Sequence, residues 1–242
     1  MFTIKIADIT VQIDNRYALV HRLCERYLVE SGEAADLTVS VSEEEIERQL
    51  QAADICTTKG YAESVCVYRH ICEQIPSLFH AFLFHSAVVE YEGRGYVFAA
   101  RSGTGKSTHI ALWQKHFGEN VHVVNGDKPI MRFEGDTLYA YGTPWCGKEG
   151  LEINTRVPVT AICFLEQGAI NTIRNISPAD AVMRAFEQVL APTDIASVDA
   201  MFPLLDQMLM NIPCYLLTCN MEEEAAAVAY QGMKEKGERE KI

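Results

Sequence analysis

The sequence predicts an α/β protein. Short apolar runs such as Tyr96–Ala100 and Val159–Leu165 recur between stretches of helical spacing. A glycine-rich segment stands between one such run and a helix-like stretch. Hydrophobic residues make up 48% of the 242, enough for a sizeable core and against a disordered chain.

Two units follow from the order of elements, a small N-terminal α+β subdomain over 1–75 and a larger α/β domain over 76–242. In the first, Phe2–Ala7 and Thr10–Ile13 alternate like two short strands, and so does Leu37–Val41. Tyr17–Val29 has helical spacing, with Leu19, Leu23 and Tyr27 on one face. Ser42-Glu43-Glu44-Glu45 is a helix start with acids in the first turn, where the helix dipole favours them. Cys66–Phe84 reads as a helix that crosses into the second unit, with Val67, Ile71, Ile75, Leu78 and Phe82 as its apolar positions.

From His85 the pattern changes. Ser86–Val89 and Tyr96–Ala100 are strands around a Glu92-Gly93-Arg94-Gly95 turn, and Arg101–Thr108 is a loop before a helix over Thr108–Phe117. Val121–Asn125 is a third strand. Ile130–Phe133 and Thr137–Tyr141 form a hairpin, Gly142–Gly150 is a loop, and Val159–Leu165 is a buried strand. Helices are expected near Ser177–Leu190, Asp194–Met210 and Glu222–Lys236, with a strand at Cys214–Thr218 and a polar, frayed tail from Lys234.

The loop carries the chemistry. Residues 100–107 read Ala-Arg-Ser-Gly-Thr-Gly-Lys-Ser, the G-x-x-x-x-G-K-[ST] pattern with Ala100 in the first glycine's place. Glycines at 103 and 105 let successive N–H groups face a polyphosphate, and the helix behind them adds its positive end. Arg101, Ser102, Gly103, Thr104, Gly105, Lys106, Ser107 and Thr108 are therefore the candidate nucleotide cradle. Lys106 would reach the β- and γ-phosphates and Ser107 would place its hydroxyl on Mg²⁺. Such a loop needs an acid at the end of a neighbouring strand, and Asp127 stands there, with Lys128 beside it as a phosphate partner or a solvated side chain.

These residues resemble a family. His85 in Phe84-His85-Ser86-Ala87-Val88-Val89, the Ser102–Ser107 loop and Asp127 occur in the order and at the spacing found in HPr kinase/phosphorylase. ATP-dependent phosphoenolpyruvate carboxykinase has a related core. The likeness covers roughly residues 80–220. Asn125–Pro129, Tyr141–Lys148 and Cys219–Glu222 look like those of a clostridial-type branch. The resemblance implies a P-loop core of the HPr kinase/phosphoenolpyruvate carboxykinase type that uses ATP and Mg²⁺ to phosphorylate a hydroxyl of a metabolite or peptide. It makes His85, Lys106 and Asp127 catalytic, with Ser107 and Asp127 on the metal.

One departure stands out: Gly126 occupies the place of the first acid of the family's Asp-Asp pair. The base is then Asp127, His85, the substrate's own phosphate, or absent. That substitution motivates the alternative of a nucleotide-binding regulatory or peptide-modification accessory protein, and a Gly126→Asp variant as the test. The loop Gly142–Gly150 differs from the family's second signature. Its Trp145 offers an apolar wall, Lys148 a cation and Thr143 a hydroxyl, so Thr143, Trp145, Lys148 and Lys128 are the candidate acceptor residues.

Charge narrows the partners. The formal net charge of −12 argues against nucleic acid and against an anionic membrane surface. It does not exclude a nucleotide, because residues 94–148 hold seven Lys/Arg against four Asp/Glu. Eight cysteines without a Cys-x-x-Cys pair, most in apolar runs, predict reduced buried thiols. With no signal-peptide pattern at Met1–Asp8 and no apolar run near ~20 residues, a cytoplasmic protein is expected. A homo-oligomer is compatible with all of this.

Overall fold

A computed structural model describes residues 1–29, 34–53 and 56–237, with side chains to 234; the end of the tail, 238–242, lies outside the described residues. Strands β1 (Phe2–Ile6) and β2 (Ile9–Asp14) pair antiparallel around Ala7 and Asp8, both at positive φ (49° and 57°). Such φ values match the twist of a two-residue hairpin turn. β3 (Leu37–Ser40) adds parallel to β2. Ile4, Ile6, Ile9, Val11, Ile13, Leu37 and Val39 all bury on this sheet; each fully buried Ile is worth about 1.5–3 kcal/mol.

The helix expected over 17–29 is shorter. α1 spans Ala18–Leu23 and passes into a 3₁₀ turn at Glu25–Tyr27. Its buried positions are Val20, Cys24 and Tyr27, while Leu23 is exposed. The cause is strand-like pairing just beyond: Leu28 bridges Ile4, and the Val29 N–H donates to the Thr3 carbonyl at 3.1 Å. α2 (Glu43–Gln51) begins on the expected serine, with Ser42 and Glu45 capping each other's backbone N–H.

α3 (Lys59–Phe79) starts earlier and ends earlier than the 66–84 reading. His80 stops it in a left-handed conformation (φ 52°), and Phe82 leaves for β4 (Ala81–Leu83), while Leu78 is exposed. Val67, Ile71 and Ile75 bury against the first sheet, and the same core runs on through Ile130, Tyr141 and Trp145.

The second sheet is curled and nine-stranded. Its members are β4, β5 (Ser86–Tyr91), β6 (Arg94–Ala99), β7 (Val121–Asn125), β8 (Ile130–Glu134), β9 (Thr137–Tyr141), β10 (Arg156–Gln167), β11 (Thr172–Ile176) and β12 (Cys214–Cys219). The order is β4-β8-β9-β10-β6-β5-β7, with β12 joined to β10 and β11 to β12. β10 runs parallel to β6 and β12 and antiparallel to β9. β4 and β11 have no counterpart in the sequence reading; one is three residues long and the other is mostly polar and exposed.

Helices cover both faces, which is why Tyr96–Ala99 of β6 and Ala161–Leu165 of β10 are apolar and buried at every position. Val97, Ala99, Ile162 and Phe164 pack towards α5 (Pro178–Phe186) and α6 (Ile195–Asn211). The intervening Phe98, Ala161 and Cys163 pack towards α4 (Lys106–Phe117) and α7 (Glu224–Gly237). This is the α/β architecture expected. All eight cysteines are free thiols, and no helix among the described residues is long and apolar enough to cross a membrane.

Candidate functional site

β6 delivers the chain to Ala100, and α4 begins at Lys106. Between them Gly103 and Gly105 adopt positive φ (80° and 121°), and a Cβ at either would meet nothing within 4 Å. Gly105 is the N-cap of the 12-residue helix and offers no side-chain cap. The first-turn N–H groups of α4 are thus left open to an anion. The loop is held from within by Thr104 N–H donating to the Arg101 carbonyl (3.2 Å) and from outside by Gln167 Nε2 donating to the Thr104 carbonyl (3.1 Å). Ser102, Ser107 and Thr108 are exposed.

Lys106 is buried to 8% exposure and donates to the Ala100 carbonyl at 2.9 Å, with its Nζ 3.2 Å from His85 Nε2. Burial lowers its pKa, against the pull of the Asp127 charge. His85 lies in the break between β4 and β5, its Nε2 3.1 Å from Asp127 Oδ1. Asp127 Oδ2 accepts from Lys128 Nζ. Burial alone would raise the Asp127 pKa, but the His85 hydrogen bond and the Lys128 ammonium outweigh it and hold the carboxyl at about 2. The Lys128 ammonium also lies 5.6 Å from the centre of the Tyr68 ring, and Tyr68 meets Trp145 edge-on at 5.7 Å.

The turn carrying this pair is built by two residues. Asn125, fully buried, accepts from the N–H groups of Asp127 (2.9 Å) and Lys128 (2.7 Å) and donates to Thr143. The Thr143 hydroxyl in turn donates to the Lys128 carbonyl (2.7 Å). Gln188 closes the other side. Its carbonyl accepts from His85 N–H at 2.7 Å. With its amide nitrogen turned inward it donates to Ala100 O (2.9 Å) and His85 Nδ1 (3.3 Å).

His85, Lys106, Ser107, Asp127, Lys128, Trp145 and Lys148 line one cavity of about 730 Å³, together with Tyr61, Ser64 and Tyr68 of α3. Arg101 and Thr104 border a neighbouring hollow of about 870 Å³ instead, and Arg101 forks onto Glu187 there (3.0 and 2.5 Å). Ser102 and Gly103 border both. Thr143 does not reach the cavity; it is fully buried with its hydroxyl committed to the Lys128 carbonyl. Its hydroxyl scaffolds the turn rather than facing an acceptor. Trp145 is 8% exposed, and its indole N–H has no partner among the described residues.

Gly126 is closed to a side chain. A Cβ there would lie 2.8 Å from the Cys146 carbonyl oxygen, and the Gly126 N–H is spent on the Leu151 carbonyl (3.0 Å). Restoring an acid at 126 would therefore push the 142–153 segment away, so Gly126→Asp is no clean test. Gln188, Tyr68 and Glu149 also border the two hollows and were missed in the sequence. Tyr61, Ser64 and Tyr68 share one face of α3, and that spacing could have shown a wall.

The site defines an α/β protein with a glycine-rich strand–loop–helix turn facing a cluster of one His, one Asp and two Lys. A family model described as "SynChlorMet cassette protein ScmC" matches residues 57–226, and the chain belongs to that family. The match begins just before α3 and takes in the whole cluster. No curated protein matches the chain. Among solved structures it is similar to the Hpr(Ser) kinase/phosphatase from Coxiella burnetii, with 9% identity and a TM-score of 0.36 over 62% of this chain and 94% of that one.

Proposed function

We propose that the chain binds Mg–ATP on the loop 100–108 and transfers the γ-phosphate to a hydroxyl of a small molecule or of a Ser/Thr in a peptide or protein. The observation that carries this reading is the uncapped N-terminus of α4, opening beside the Lys106–His85–Asp127 cluster in one cavity. The residues fit a polyphosphate: Gly103 and Gly105 leave room where any other residue would place a Cβ. Lys106 would exchange the Ala100 carbonyl for phosphate oxygens. Ser107 and Asp127 would hold Mg²⁺, which when bound neutralises charge on the β- and γ-oxygens. Positioning and charge neutralisation supply most of the rate in such transfers.

The acceptor would enter past Tyr61, Tyr68 and Trp145, with Lys128 and Lys148 as its cationic contacts. Thr143 drops out of that set for the reason given above.

Lys106→Ala is expected to lower ATP affinity and abolish turnover without unfolding the protein. Isothermal titration with Mg–ATP and a thermal melt check it. Unchanged ATP binding in Lys106→Ala overturns the reading. The second reading, a nucleotide-binding accessory protein without turnover, draws on Gly126 and the carbonyl that fills its place. ATP consumption by the wild-type chain separates the two.

A further inference from the structure

We propose that Glu149 supplies from the 142–153 loop the carboxylate that position 126 lacks, and that it accepts the proton of the attacking hydroxyl. This rests on the phosphotransferase reading. The backbone geometry around two glycines carries it. At Gly126 the Cys146 carbonyl stands where a side chain would begin. The loop is fastened there by Gly126 N–H to Leu151 O (3.0 Å), Ile153 N–H to Val124 O (3.2 Å) and a bridge between Asn125 and Glu152. One residue beyond Cys146, Gly147 has φ +85°. The point where its Cβ would sit is 3.2 Å from Asp127 Cβ, 3.7 Å from Asp127 Cγ and 3.4 Å from Glu149 Oε2. The absent side chain thus leaves two carboxylates flanking one small space at the cavity wall.

Their availability differs. Both Asp127 oxygens are engaged, Oδ1 by His85 and Oδ2 by Lys128. Glu149 is exposed and has no hydrogen bond or ion pair among the described residues. Asp127 is therefore the fixed carboxylate and Glu149 the free one. In the step, the acceptor oxygen bonds to the γ-phosphorus while the bond from that phosphorus to the β,γ-bridging oxygen breaks. The bridging electrons leave with ADP, and the hydroxyl proton passes to a Glu149 carboxylate oxygen.

The test uses the full chain with Mg–ATP, water serving as the hydroxyl. Glu149→Gln is expected to bind ATP as the wild type does, melt at the same temperature and lose turnover by about 100-fold or more. Glu149→Asp should recover part of that loss. Normal turnover in Glu149→Gln overturns this proposal and leaves the phosphotransferase reading standing. A wild type that binds Mg–ATP and hydrolyses none, or a Lys106→Ala variant that binds ATP unchanged, overturns the phosphotransferase reading and this proposal with it.

Discussion

Two glycine-bearing loops line the same cavity, and Gly103 and Gly105 of one do the opposite of Gly142 and Gly147 of the other. In 100–107, Gly103 and Gly105 stand over empty space, and the uncapped first turn of α4 follows them. In 142–153 Gly142 and Gly147 permit contact, and only Gly150 meets nothing within 4 Å. A Cβ on Gly142 would fall on the Ile153 carbonyl oxygen and 2.8 Å from that of Val124, and one on Gly147 would press Asp127. The N–H groups there are also spent, Gly142 on Thr155 O (3.0 Å) and Trp145 on Thr143 Oγ1 (3.3 Å). A glycine count does not separate a ligand cradle from a packing joint. Free volume and unspent N–H groups do.

The largest effect expected from this contrast is at Gly142. Gly142→Ala sets a methyl against two backbone carbonyls that cannot rotate away, and should cost about 3 kcal/mol or more of stability. A urea melt measures it. A midpoint near that of the wild type would break the contrast, because the second loop would then have slack.

The open loop depends on what lies beneath it. His109, one turn into α4, is buried against Phe98, accepts from Trp113 Nε1 at 3.0 Å, and has no partner on Nδ1 among the described residues. Burial lowers its pKa from 6.5 to about 4. Between those values the unfolded chain binds a proton that the folded chain does not, so acidification destabilises the fold. The loss should reach about 3 kcal/mol as pH falls from 6.5 to about 4, and His109→Leu should remove that slope. The His109 ring signal followed by NMR gives a direct check. Titration near 6.5 would mean that the helix under the loop is more open than its packing indicates.

What the sequence made legible was local. The β5–β6 hairpin shows in Glu92-Gly93, both at positive φ, the start of α2 in Ser42 and Glu45, and the strand–loop–helix turn in Gly103, Gly105 and Lys106. Each is decided by residues a few positions apart. The site's remaining members come from far along the chain: Tyr68 from α3, Glu149 from the second loop, and Gln188 from just beyond α5. Their meeting depends on the sheet order, which no short pattern encodes. Gly126 shows the same limit. As a letter it reads as a missing acid, but in space it is where the Cys146 carbonyl sits.

The smallest effect on stability is the one that sharpens the contrast most. Gly103→Ala meets no atom within 4 Å, so only its positive φ opposes it. That strain is worth about 1 kcal/mol, well below the cost at Gly142. The methyl would nevertheless stand in the space assigned to the phosphates. ATP affinity should therefore fall by about tenfold or more while the melt barely moves. At Gly142 the order reverses, with stability lost first and binding lost only as a consequence. If Gly103→Ala bound Mg–ATP as tightly as the wild type, the empty space over the loop would not be the phosphate site, and the free N–H groups of α4 would need another ligand.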